Sequence, residues 1–151
     1  MKAPARRRVI RSRDLGIALH RGTESELFKW FLACLLFGKP IQQEVARRVY
    51  LELARENLVT PEAILRAGWD RLVEVLDRGR YVRYDFSTAT KLLEVCRALR
   101  ERYGTLTRLF AVASSAADLR QRLQAFKGVG PTTTRIFVRD AQPFFRPGRR
   151  C

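Results

Sequence analysis

The stretch "LQAFKGVGPTTTRIFV", from Leu123 to Val138, ends one apolar-patterned segment and begins another within a few residues. Two glycines flank Val129, Pro131 follows at once, and three threonines come next. Glycine permits backbone angles that other residues avoid, and proline suits the first position of a helix, where no amide proton is needed. This order predicts two helices joined by a tight turn, with the Val129 side chain pointing into the core.

The start of the second helix is the candidate binding site. The amides of Thr132 and Thr133 lack partners within the helix, and their partial positive charge suits an anion such as phosphate. Together with the two hydroxyls they predict a site for one phosphodiester, in which a β-branched side chain such as valine at Gly130 should clash with the turn. A Gly-Pro pair also occurs where one helix merely stops and another starts. The predicted site consists of Lys127, Gly128, Val129, Gly130, Thr132, Thr133, Arg135 and Arg139.

The charge of the chain favours a polyanionic partner. Thirty Lys and Arg stand against fifteen Asp and Glu, which gives a net charge of +15, and 25 of the thirty cations are Arg. The planar arginine fork suits phosphate, so nucleic acid is the first candidate, with a simple solubility surface as the alternative. The charge is concentrated at both ends. We therefore expect basic tails over residues 1–22 and 141–151 around a helical domain over residues 23–140.

Apolar residues between residues 23 and 139 recur with helical spacing, and no stretch alternates as a strand would. The sequence predicts an all-α, compact orthogonal bundle of about six to eight helices without a significant sheet. Thr23 and Glu26 form a capping-box pattern before a helix that is apolar on nearly all sides and ends at Gly38. Further helices are predicted to stop at Gly68 and to start at Ser87.

The cysteines predict neither a disulfide framework nor a metal site. Cys34 and Cys96 lie in apolar helical runs, Cys151 is the last residue, and no CxxC pair occurs. Such scattered thiols fit a reducing cytosol. No apolar run reaches membrane-spanning length, and the basic N-terminus lacks the apolar segment of a signal peptide. We expect a cytoplasmic location, on the nucleoid in a bacterium or archaeon.

Three stretches resemble one known family, the helix-hairpin-helix DNA glycosylases related to endonuclease III. They are "FLACLLFGKPIQQEVARRVY", "EVCRALRERYG" and "LQAFKGVGPTTTRIFV", and the resemblance covers about residues 27–138. It implies a helix-hairpin-helix motif at about residues 116–139, in a six-helix lobe that faces a second lobe. In that family the DNA is bent and the damaged base is flipped into the cleft between the lobes.

The chain departs from this family at its catalytic positions. The lysine that forms a Schiff base in bifunctional members corresponds to Thr132, which cannot form an imine. The family's aspartate would fall near Arg150, and Asp140 lies too early to replace it. The cysteines of the family's iron–sulfur cluster are absent. The resemblance therefore implies no iron–sulfur cofactor, leaves room for a monovalent cation at the hairpin, and suggests that most of the second lobe is missing.

The family also places a glutamine in the turn after its first helix, where it fills the hole left by the flipped base. That position corresponds to Lys39, with Gln42 and Gln43 just beyond. We expect a protein related to base-excision-repair glycosylases that binds the backbone of double-stranded DNA with weak sequence preference and without glycosylase activity. One alternative is a minimal glycosylase or abasic-site lyase that uses Lys39 or Lys127 as its amine. Others are an RNA- or ribosome-associated protein and a protein–protein module with incidental charge.

Overall fold

The computed structural model describes residues 10–38, 42–81 and 83–148, and every regular element within these ranges is a helix. Seven α-helices are present there: α1 (Glu24–Phe37), α2 (Gln43–Arg55), α3 (Pro61–Arg78), α4 (Asp85–Arg102), α5 (Leu106–Val112), α6 (Ala116–Gln124) and α7 (Pro131–Ala141). The predicted all-α, compact fold is confirmed. No helix in the described ranges combines the length and the apolar character needed to cross a membrane.

Helix α1 lies at the centre of the molecule, as its apolar pattern predicts. Its residues from Leu27 to Leu36 are buried apart from Lys29, and α2, α4, α5 and α7 all pack against it. Thr23 caps it by accepting a hydrogen bond from the Glu26 amide, at 3.3 Å. The capping box is only half formed, because the Glu26 carboxylate accepts from the Ala18 amide, at 2.7 Å, and so holds the segment before the helix.

One of two predicted helix boundaries agrees with the structure and the other does not. Gly68 has a φ of +81° and a ψ of 173°, outside the helical range, so two helical arms of α3 meet at the predicted stop. The predicted start at Ser87 is wrong. Helix α4 begins at Asp85, and the Ser87 hydroxyl donates to the Tyr84 carbonyl instead of capping the helix.

The packed body extends beyond both predicted boundaries. Before α1, residues Ser12–Leu15 and Leu19–Arg21 form 3-10 turns, and Leu15 and Leu19 are buried in the core. After α7, Phe145 is buried, and the Gly148 amide donates to the Phe110 carbonyl at 3.0 Å. The boundaries at residues 22 and 141 therefore fall inside packed structure. The arginines at positions 6–8 and the residues from 149 onward lie outside the described part.

Aromatic packing fixes α7 to the centre of the fold. The Phe137 ring lies 5.1 Å from Phe31 and 5.9 Å from Phe110, both in edge-on geometry. The indole nitrogen of Trp30 donates to the Phe137 carbonyl at 3.1 Å. Edge-on aromatic pairs and a buried hydrogen bond both depend on orientation. They give α7, and with it the preceding turn, a defined position against α1.

Candidate nucleic-acid interface

The six residues Ala125–Gly130 connect α6 to α7 in a compact turn. The Phe126 amide donates to the Leu123 carbonyl at 3.2 Å, and the Val129 amide donates to the Phe126 carbonyl at 3.0 Å. Val129 is only 4% exposed, so its side chain anchors the turn in the core as predicted. These contacts hold the backbone on either side of Val129 at the surface.

The two glycines of the turn have different roles. Gly128 has a φ of +92°, a region that favours glycine, and a β-carbon there would lie 2.8 Å from Cδ of Lys91. Gly130 is extended, with a φ of −98°, and a β-carbon there would have no atom within 4 Å. The expected clash at Gly130 is therefore wrong. Gly128 is the residue whose conformation and surroundings require glycine, while Gly130 faces open space.

Helix α7 begins with two amides whose hydrogen bonds are accepted by no described residue. Pro131 has no amide proton, and the Thr134 amide and hydroxyl both bond the Gly130 carbonyl, at 3.1 and 2.9 Å. Gly130 has no side chain to cap the helix, so the Thr132 and Thr133 amides keep their donor capacity. The helix dipole adds partial positive charge at the same point.

The two threonines differ in exposure. Thr132 is exposed, but Thr133 is only 3% exposed. The Thr133 hydroxyl packs against Gly38, where an added methyl group would overlap it. The prediction that both hydroxyls face a phosphate is therefore corrected, because only the Thr132 hydroxyl is at the surface. Thr133 offers its amide and joins the end of α1 to the start of α7.

A shallow concavity of about 430 Å³ lies in front of these amides. Its lining includes Lys127, Gly130 and Thr132 from the turn and from α7, and Gly38 from the end of α1. Lys39 follows Gly38 in sequence and lies outside the described residues, whereas Gln42 is exposed just before α2. The end of α1, which precedes the predicted contact Lys39 in sequence, thus meets the turn at the concavity.

The two predicted arginines lie at different ends of α7. Arg135 is exposed one turn into the helix. Arg139 lies eight residues beyond Pro131, about 12 Å along the axis at the usual rise per residue. Its Nε bonds Asp140 at 2.7 Å and its Nη2 bonds the Ile10 carbonyl at 3.2 Å. Arg139 therefore attaches the N-terminal segment to α7 and does not belong to the site at the turn.

Lys91 supports the turn from beneath, and its role was not predicted from the sequence. This α4 residue is only 7% exposed, its methylenes lie beneath Gly128, and its Nζ donates to the Leu35 carbonyl at 2.8 Å. Carbonyls in the last turn of a helix need donors from outside the helix. The sequence feature that could have identified Lys91 is its helical spacing from Thr88 and Val95, which places it on the buried face of α4.

Among the described residues, neither Asp140 nor Cys96 is in a state that suits catalysis. Burial raises the pKa of Asp140, but hydrogen bonds from Arg139 and the Ser12 amide act in the opposite direction and hold the pKa below its usual value. Burial raises the pKa of the Cys96 thiol to about 12, so the thiol stays protonated at neutral pH. In residues 10–38, 42–81 and 83–148, no three His, Cys, Asp or Glu side chains are placed to share a metal ion.

We found no match to this chain among protein-family models, curated proteins or solved structures.

Proposed function

We propose that this protein binds double-stranded DNA, and that α6, the turn and α7 form a helix-hairpin-helix that holds one backbone phosphate. The observation that carries the proposal is the pair of amides at Thr132 and Thr133, which are without acceptors in the described structure and open onto a concavity beside Lys127. Amides at a helix start bind phosphate without reading base sequence. The net charge of +15 supplies the long-range attraction that such a contact needs.

The proposal assigns binding, and no base excision, to this site. Thr132 occupies the position of the family's Schiff-base lysine, and the nearby acid Asp140 is buried and bonded to Arg11, Ser12 and Arg139. A carboxylate that is only 8% exposed and accepts three hydrogen bonds is poorly placed to contact a sugar. The relationship to the helix-hairpin-helix DNA glycosylases is part of the proposal and rests on the three sequence stretches quoted above.

The test places a negative charge at the proposed phosphate site. In Thr132→Glu, the carboxylate at the second position of α7 should stabilise the helix by about 0.3–1 kcal/mol through the dipole. The same carboxylate should repel phosphate, so affinity for a labelled duplex should fall roughly tenfold or more, a loss of at least about 1.4 kcal/mol. Thr132→Gln introduces a side chain of the size of glutamate without its charge, so the difference in affinity between the two variants measures the effect of the charge. Fluorescence anisotropy and thermal unfolding measure the two effects.

Gly130→Val gives an independent check, because its β-carbon would meet no atom within 4 Å and lies at the lining of the concavity. This variant should fold normally and bind duplex DNA more weakly, since the added methyl groups occupy volume that a phosphate needs. Wild-type affinity in both Gly130→Val and Thr132→Glu would contradict the proposal and reduce the turn to a corner between two helices.

The lyase alternative has its own assay, because Lys127 is exposed and lines the same concavity. Borohydride treatment of the protein with a duplex containing an abasic site traps any imine as a covalent adduct. We expect no adduct. An adduct that is lost in Lys127→Ala or Lys39→Ala would assign lyase chemistry to that lysine.

A further inference from the structure

A second basic surface lies where α4 ends and α5 begins. It is an open groove of about 810 Å³, here called the α4–α5 groove. Its lining includes Arg100, Arg102, Arg108 and Arg122, together with one acid, Glu101. Four arginines against one acid give the lining a net positive charge, which suits an anion with several charges.

The arginines of the groove differ in how far their charge is neutralised. Arg122 is paired with Asp118, at 2.8 Å, and Arg100 lies 4.0 Å from Glu62. Arg102 and Arg108 are both exposed, and neither forms an ion pair with any acid in the described ranges. Two guanidinium groups that form no ion pair among the described residues are therefore open to solvent in one groove, which also holds the exposed acid Glu101.

The α4–α5 groove adjoins the concavity at the turn. The Arg102 guanidinium lies over the Phe126 ring, 5.5 Å from its centroid, and reaches the Ala125 carbonyl at 3.5 Å. Phe126 itself lines the concavity in front of α7. Arg102 thus lies on the first residues of the turn that presents the Thr132 and Thr133 amides, and the two basic surfaces meet there.

We propose that the DNA backbone held at the turn continues into the α4–α5 groove, where Arg102 and Arg108 contact further phosphates. This inference rests on the proposed function, since it extends the same duplex beyond the first phosphate. Stacking against Phe126 limits the freedom of the Arg102 guanidinium, which lowers the entropy cost of holding a phosphate.

The experiment compares two double variants with the same loss of charge. Arg102→Gln/Arg108→Gln removes the unpaired guanidinium groups of the groove. Arg48→Gln/Arg55→Gln removes two exposed arginines from α2, which packs on α1 and α3. Binding to a labelled duplex of about 20 base pairs, two helical turns, is measured over a series of salt concentrations.

Each phosphate contact contributes about 0.9 to the slope of log affinity against log salt. The groove variant should therefore lose about 1.8 from the slope and bind at least roughly tenfold more weakly at moderate salt. The α2 variant should keep the wild-type slope. Arg108→Gln alone removes no ion pair among the described residues and should reduce the slope by about half as much. This single variant replaces the double variant if the latter does not fold.

The outcomes separate this inference from the proposed function. If Thr132→Glu weakens binding while the groove variant matches the α2 variant, the turn binds DNA and the groove does not. If wild-type protein fails to bind duplex DNA, both proposals are overturned. A groove variant that loses slope while Thr132→Glu binds normally would keep Arg102 and Arg108 as DNA contacts but reject the continuous path from the turn.

Discussion

At the scale of single residues, the turn depends on one glycine and the lysine beneath it. Gly128→Ala would hold alanine at a φ of +92° and bring its methyl group to 2.8 Å from Cδ of Lys91. Left-handed backbone costs an ordinary residue roughly 1–2 kcal/mol, and the crowding adds to this cost. We expect the free energy of unfolding to fall by about 1–3 kcal/mol in chemical denaturation. Gly130→Ala is the matched control and should change it by less than about 0.5 kcal/mol.

The importance of this glycine pair could be predicted from sequence, but the difference between its members could not. Both glycines flank the same valine, and a Gly-Val-Gly-Pro order signals a turn whichever glycine has the positive φ. The distinction depends on Lys91, which reaches the turn from a different helix. Equal loss of stability in Gly128→Ala and Gly130→Ala would show that this distinction is mistaken.

At the scale of elements, a buried carboxylate connects the N-terminal segment to α7. Asp140 accepts hydrogen bonds from the Ser12 amide, at 2.9 Å, and from Arg11 and Arg139. From the sequence, Asp140 is recognisable only as an acid at the wrong spacing for catalysis. Its structural role could not be predicted, because no local pattern shows that residues 11 and 12 return to the end of α7. Asp140→Asn should lower the free energy of unfolding at neutral pH by about 1.5–3 kcal/mol, because charge-assisted bonds are lost.

The pH dependence of stability gives this contact its own test. The pKa of Asp140 is lower in the folded protein than in the unfolded chain, so its contribution is complete above the unfolded pKa of about 4. The contribution disappears as the pH falls through the folded pKa. The difference in stability between wild type and Asp140→Asn should therefore be constant from pH 7 to about pH 5 and shrink below about pH 4. Asp70→Asn, on an exposed side chain, is the control, and a difference that did not shrink in acid would contradict the role assigned to Asp140.

At the scale of the whole molecule, the fold class could be predicted from the sequence, but the limits of the packed body could not. The apolar character of α1 on all sides identified it as the central helix, and helical spacing elsewhere excluded a sheet. The extent of the packed body depends on contacts such as Gly148 with Phe110, which join residues far apart in sequence. Composition could identify the two ends as basic, but it could not show that the parts nearest the core fold onto it.

The salt dependence of binding tests whether the net charge of the molecule drives its association with DNA. If phosphate neutralisation dominates binding, three to five contacts give a slope of about −2.7 to −4.5 for log affinity against log salt. Affinity for duplex DNA should then fall roughly 40- to 500-fold between about 50 and 200 mM salt, with little dependence on base sequence.

The competing expectation is a surface that serves solubility or a protein partner. In that case affinity for DNA would be weak at any salt, and Thr132→Glu would not change it. Competition with a structured RNA of equal length decides between the nucleic acids. Tighter binding of the RNA, retained in Thr132→Glu, would assign the basic surface to RNA and leave the turn without a role in binding.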